Sequence, residues 1–250
     1  MVHVQPETQD SAARNDWFST THWSIVLQAQ ADSSPDAARA LDALCRTYWV
    51  PLYSYVRQQG HSPHDAQDLT QEFFARFVGK DYLASVGREK GKFRSFLLKA
   101  LNHFLADQRD RARAIKRGGG QTPVPLTEDE AERLYLANPG AGLAPDEAFE
   151  KRWATALLSE AFAKLQAESV AAGKGDRFER LKGFLEDGTD SGDYETLGAE
   201  MGLAANTIAA SVHRLRQRYR ELVRIEIANT VATPGEIQEE MRYLFAVLTR

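Results

Sequence analysis

The sequence predicts an all-α fold, with two helical domains joined by a flexible linker. Three observations predict it. Almost no segment of the 250 residues alternates apolar and polar side chains as a half-buried strand does. Apolar residues recur instead at steps of three and four, and Ser-Pro pairs stand where helices would begin. Charge and punctuation also change together. Residues 88–117 carry ten bases and three acids, residues 126–150 seven acids and one base, and residues 206–224 five bases and one acid. Between the basic blocks Gly118, Gly119 and Gly120 precede Pro123, Pro125, Pro139, Gly140, Gly142 and Pro145, so residues 118–144 read as an acidic, Gly/Pro-rich linker. The expected division is an N-terminal extension over 1–33, a first domain over 34–117, the linker, a second domain over 145–224 and a C-terminal helical extension over 225–250.

Each element has its own signal. Ser34-Pro35-Asp36 supplies an N-cap and a first-turn proline for a helix running to about Tyr48, with Pro51 opening the next helix and Gly60 closing it. Ser62-Pro63-His64-Asp65 repeats the start signal, with Asp65 placed to complete a capping box, and Leu69, Phe73 and Phe77 give that helix one apolar face. From Lys92 to about Lys116, Phe93, Phe96, Leu97, Ala100, Leu101, Phe104 and Leu105 form an apolar stripe. Lys92, Ser95, Lys99, Asn102, Arg109, Arg113 and Lys116 lie opposite. A helix that buries phenylalanines and aligns cations suits a surface that follows phosphates; a merely solvated basic face is the plainer alternative.

The second half begins with helices over about 145–168 and 177–186. Then comes a helix-turn-helix pattern over 193–221, with Leu197 and Met201 facing inward and Gly198 allowing close approach. Gly202 supplies the turn. Ile208, Val212, Leu215, Tyr219 and Leu222 form the inner stripe of the second helix. Its outer pole is Asn206, Ala210, His213 and Gln217, with Thr207, Ser211, Arg214 and Arg218 on one shoulder and Arg216 and Arg220 on the other. Polar residues at a pole between flanking arginines suit a helix lying in a major groove. At the ends, Trp17, Phe18, Trp23, Val26 and Leu27 are expected to pack on the first domain. Met241, Leu244, Phe245 and Leu248 make an amphipathic face that docks on the second domain or binds a regulator.

Composition bounds the function. With 43% hydrophobic and 26% charged residues the chain is neither disordered nor fibrous. Cys45 is the only cysteine, so an internal disulfide and a multi-cysteine zinc site are excluded. No apolar run approaches the roughly 18 residues of a membrane span, and residues 1–11 lack the apolar core of a signal peptide. A soluble, cytoplasmic protein without a membrane partner is expected. The net charge of −4 speaks against nucleic-acid binding only until it is resolved into its blocks.

The two blocks together resemble the extracytoplasmic-function (ECF) sigma factors of bacterial RNA polymerase, a subfamily of the sigma-70 family. Residues 48–117 resemble the family's second conserved region. Within them Asp65-Ala-Gln-Asp-Leu-Thr-Gln-Glu-Phe-Phe-Ala-Arg-Phe77 is similar to the helix that docks on the β′ coiled coil, and residues 93–107 are similar to the segment that melts and reads the −10 element. Residues 145–222 resemble the fourth region, which reads the −35 element. The resemblance implies a promoter-recognition factor, not an enzyme, with no cofactor, whose partners are the polymerase core (β′ and β) and promoter DNA. It implies that Asp68, Gln71 and Glu72 contact the core. It assigns Lys92, Arg94, Ser95, Lys99, Asn102, Arg109 and Arg113 to the −10 element. It assigns Asn206, Thr207, Ala210, Ser211, Arg214, Gln217 and Arg218 to the −35 element. Tyr82, in the loop over 79–91, is a stacking candidate for a flipped base. The acidic linker would thread a basic nucleic-acid channel as a disordered strand, or serve as a plain tether.

Several positions depart from the family pattern. Ala204 stands where a serine-like cap is usual, unless Asn206 takes that role, and Gln67 replaces an acid. A phosphate on Thr70 would restore the charge beside Asp68 and Glu72, and the resemblance leaves the regulator open between an anti-sigma factor and a serine/threonine kinase. Two rivals remain. A helix-turn-helix regulator that does not engage core polymerase would leave the faces around Asp68 and Lys92 unexplained. A metal enzyme built on His61, His64, Asp65 and Asp68 would need side chains that straddle a helix start to converge.

Overall fold

The computed structural model describes residues 35–78, 92–114, 128–137, 142–185, 191–231 and 233–249. The N-terminal aromatic cluster, Tyr82 with its loop, and Lys116 lie outside the described residues. The expected fold class holds: every regular element among the described residues is helical. The chain forms two compact units, Met1–Ala156 with Ile227–Arg250, and Leu157–Glu226.

In the first unit α1 (Pro35–Gln58) packs on α2 (Pro63–Val78) and α3 (Phe93–Ala114). The sequence places a break before Pro51, but α1 runs through it. A proline in a helix interior removes one backbone bond and crowds the preceding turn. Here that cost is outweighed by burial on both sides, since Tyr48, Trp49, Leu52, Tyr53 and Val56 are all in the core. The start of α2 keeps the expected N-cap, with Asp65 N–H donating to Ser62 Oγ at 3.1 Å, but the Asp65 carboxylate accepts from Ser62 Oγ at 2.7 Å in place of the backbone N–H of a capping box. Rings fill the space between the three helices. Phe73 lies 5.8 Å from Phe104 between ring centroids, Phe77 6.1 Å from Phe93, Tyr48 5.0 Å from Phe93, and Trp49 stacks on Phe74.

Two segments join this unit from outside residues 34–117. The first is α4 (Glu128–Ala137), a helix within the stretch that reads as a linker. It is held against α1 by Glu132, which takes a forked pair of bonds from Arg57 at 2.8 and 2.9 Å and one from the Tyr53 hydroxyl at 2.5 Å. Composition marks this segment as acidic and solvated; the partner that orders it, Arg57, lies far away in sequence. Those Arg57 bonds hold the Glu132 carboxyl below the ordinary carboxylate range. A depressed folded value means that the clasp contributes fully above the ordinary range and is lost as pH falls through the lowered value. Amide protection over 128–137, measured relative to the intrinsic exchange rate at each pH, should therefore fall selectively on acidification below about pH 4.5, and Glu132→Gln should lower it at neutral pH as well.

The second is the chain's return at residues 227–249. Thr230 C=O accepts the Phe93 N–H at 3.2 Å, and α9 (Ile237–Leu248) buries Ile237, Leu244 and Val247. This segment groups with the first unit, whereas the sequence leads one to expect docking on the second domain. Its acidic pair, Glu239 and Glu240, finds its cations at the start of α3, on Arg94 and on Lys92 just before it.

The second unit takes the later part of α5 (Pro145–Ala171), then α6 (Gly175–Leu181) with a 3-10 turn over Lys182–Leu185, α7 (Ser191–Met201) and α8 (Ala205–Ala228) up to Glu226. Its core is Leu157, Ala161, Leu165, Phe178, Leu181, Ile208, Val212 and Leu222.

Candidate nucleic-acid interface

Helices α7 and α8 are joined by a tight turn whose geometry depends on two glycines. Gly202 has φ of +65°, a conformation that residues with a Cβ adopt at a cost. Gly198 carries the Leu203 N–H on its own carbonyl at 2.8 Å, and a Cβ on it would lie 2.6 Å from the Leu203 carbonyl oxygen. The turn thus closes backbone on backbone. It presents the expected pole of α8 to solvent, with Asn206, Ala210, His213 and Gln217 all exposed. Asn206 is the second residue of α8 and Ala204 occupies the cap position, so Asn206 does not replace the missing cap.

The shoulder residues divide. Thr207 and Arg214 are exposed. Ser211 is buried: its hydroxyl donates to the Thr207 carbonyl at 2.6 Å and accepts from Arg177 at 2.6 Å. Arg218 is committed to Glu168 through bonds of 2.7 and 2.8 Å and to Glu221 at 2.9 Å, and these carboxylates raise its already high pKa. Its charge is balanced within the unit. Sequence reasoning missed Arg177, which reaches α8 from α6; no local motif marks it.

The stripe on α3 divides as well. Ser95, Lys99 and Arg109 are exposed; Arg113 lies on the helix, and its side chain is not among those described. Asn102 is half-buried and accepts the Tyr55 hydroxyl at 2.9 Å. Lys92 lies between Glu239 at 3.1 Å and Glu240 at 2.8 Å. Burial alone would lower its pKa, but those two bonds outweigh it and raise it. Arg94 is only 3% exposed. Its guanidinium lies 2.9 Å from Glu240 and 3.3 Å from Glu150, with the Trp153 ring 4.9 Å away and the Tyr243 ring 4.1 Å away. Arg94 is therefore an internal residue of the first unit and presents no charge to a ligand. Its carboxylate partners, Glu150 and Glu240, lie far from it in sequence, and no local pattern around Arg94 marks them.

On α2, Asp68 is exposed and lies 3.7 Å from His64. Glu72 is half-exposed, pairs with Arg76 and accepts from Gln108 at 2.5 Å, and Gln71 is half-buried beside it. Thr70 is fully buried, and its hydroxyl donates to the Ala66 carbonyl at 2.7 Å. A phosphate there requires α2 to lift from the core. Among the described residues no three His, Cys, Asp or Glu side chains gather as a metal site, and no helix is long and apolar enough to cross a membrane.

No protein-family model matches the chain, and no solved structure matches it. The curated proteins similar to it include the ECF RNA polymerase sigma factor SigE of Mycolicibacterium smegmatis. That protein is 25% identical over 224 residues, which span 88% of this chain and 74% of the relative.

Proposed function

We propose that this chain, a relative of the ECF sigma factors, is itself an RNA polymerase sigma factor that directs core enzyme to promoters and opens them. The observation that carries this reading is the similarity to a sigma factor over 88% of the chain, which takes in both units. The acidic face of α2, exposed Asp68 with half-exposed Glu72, is the proposed core-binding surface, where charge speeds encounter and fixes orientation. The −10 element is assigned to the cations of α3 that remain free of the C-terminal helix, Lys99 and Arg109, with Ser95 between phosphates and base edges. The −35 element is assigned to the α8 pole with Thr207 and Arg214.

Purified protein mixed with bacterial core polymerase should give a one-to-one complex on gel filtration, and Asp68→Arg should slow association about tenfold. Failure of the unaltered chain to bind any core enzyme tested overturns the reading. Within the complex, Lys99→Ala should lower the slope of log K against log salt by about 1, the signature of one phosphate contact. Arg94→Ala that still folds should leave that slope unchanged.

A further inference from the structure

In the second unit a cavity of about 300 Å³ opens between α5, α6 and α8. Small-molecule sites run from roughly 300 to 1,000 Å³, so it is of a size to hold one small ligand. Its wall is apolar, formed by Leu165, Phe178, Leu181 and Leu215. Its rim carries Lys174, Arg177, Arg214 and Arg218. Glu168 also lines it, but its carboxylate is taken by Arg218. Among the described residues no carboxylate pairs with Lys174, Arg177 or Arg214.

Arg177 is the most telling of the three. One of its terminal nitrogens donates to Ser211 Oγ at 2.6 Å, and Arg214 reaches the same oxygen at 3.4 Å. The Nε of Arg177 is buried and bonds nothing among the described residues. Arg177 and Arg214 share one neutral hydroxyl in place of a counter-charge, and the buried Nε of Arg177 is left without a partner among the described residues; both features cost free energy. An anion between them removes both costs, and a guanidinium fork fits phosphate geometry.

We propose that this cavity binds a phosphate monoester with a small apolar body. The phosphate lies between Arg177, Arg214 and Lys174, and the apolar body runs along Leu165, Phe178 and Leu215. Because Arg214 is also assigned above to promoter DNA, an occupied cavity weakens duplex binding. That consequence rests on the promoter reading; the binding itself does not.

Calorimetric titration of the full chain with octyl phosphate, inorganic phosphate and octanol tests the site. The expected result is saturable one-to-one binding of octyl phosphate, at least tenfold tighter than either of the other two. Arg177→Gln should weaken it at least tenfold. Lys174→Gln changes an exposed side chain, so it should keep the fold and still weaken binding severalfold. Equal binding of octyl phosphate and octanol, or unaltered binding by a folded Lys174→Gln protein together with Arg177→Gln, overturns the proposal. Octyl phosphate should also raise the duplex Kd of the unaltered chain more than that of Arg177→Gln. If the unaltered chain binds no duplex at all, the promoter reading fails while the titration still decides the cavity.

Discussion

Arg94→Ala should destabilise the first unit by about 3–5 kcal/mol, the usual cost of removing one partner from a buried ion pair. The substitution leaves Glu240, 1% exposed, and Glu150 facing each other, offset by Lys92 and by the Tyr243 hydrogen bond to Glu150. It also removes the guanidinium between Trp153 and Tyr243. Burial already pushes the Glu150 carboxyl above its ordinary range, and Arg94 is the largest influence opposing that rise, ahead of Tyr243 and Lys92. Deleting Arg94 therefore drives Glu150 towards the neutral acid. Urea unfolding followed by tryptophan fluorescence measures the effect cleanly, because every tryptophan of the chain lies outside residues 157–226. Lys99→Ala, at an exposed site on the same helix, should change stability by less than about 0.5 kcal/mol. Equal midpoints for the two variants would show that the contacts among Arg94, Glu150 and Glu240 do not hold the C-terminal helix in place.

Gly198→Ala should be the most disruptive single-methyl change in the second unit, at about 1–3 kcal/mol. The added Cβ meets a backbone oxygen at 2.6 Å, and no side-chain rotation relieves that. The Leu203 carbonyl must move, and with it the Ala204–Ala205 peptide that starts α8. Amide exchange over 191–215 should rise, and duplex binding should fall in step as the pole of α8 shifts. Gly202→Ala should cost about 1–2 kcal/mol, from the left-handed backbone alone. Gly183→Ala, where a Cβ meets nothing within 4 Å, should be silent.

Much of this fold was legible because its local rules agree with its packing. The Ser62-Pro63-Asp65 start, the turn at Gly202 and the apolar stripes of α3 and α8 all stand where spacing puts them. The polar sites were less legible, for one recurrent reason. Arg94, Thr70 and Ser211 carry chemistry that suggests a surface role, yet each lies on the inward stripe of its own helix. Arg94 is three residues before Leu97 and seven before Leu101; Thr70 is four after Ala66 and three before Phe73; Ser211 is three after Ile208. All three are buried. Helical spacing determined their position, and residue type only required that each find a polar partner there.

The long-range partners could not be read from local pattern. The Arg57–Glu132 pair orders a helix inside an apparent linker, and Glu240 draws the C-terminal helix onto α3. Each joins residues far apart in sequence, where periodicity and capping signals carry no information. The same pairing redraws the cationic surface: of the seven residues assigned to the −10 element, Lys92 and Arg94 belong to the C-terminal clasp.

The most direct test of the central claim is transcription in vitro with bacterial core polymerase, this protein and a random promoter library, followed by mapping of transcript starts. Initiation should depend on the protein, with start sites that align to reveal two upstream elements. Asn206→Ala and Gln217→Ala should relax only the distal element, and Lys99→Ala should weaken use of the proximal one. Binding to DNA without any protein-dependent initiation would rule out sigma-factor activity and leave a DNA-binding regulator in its place.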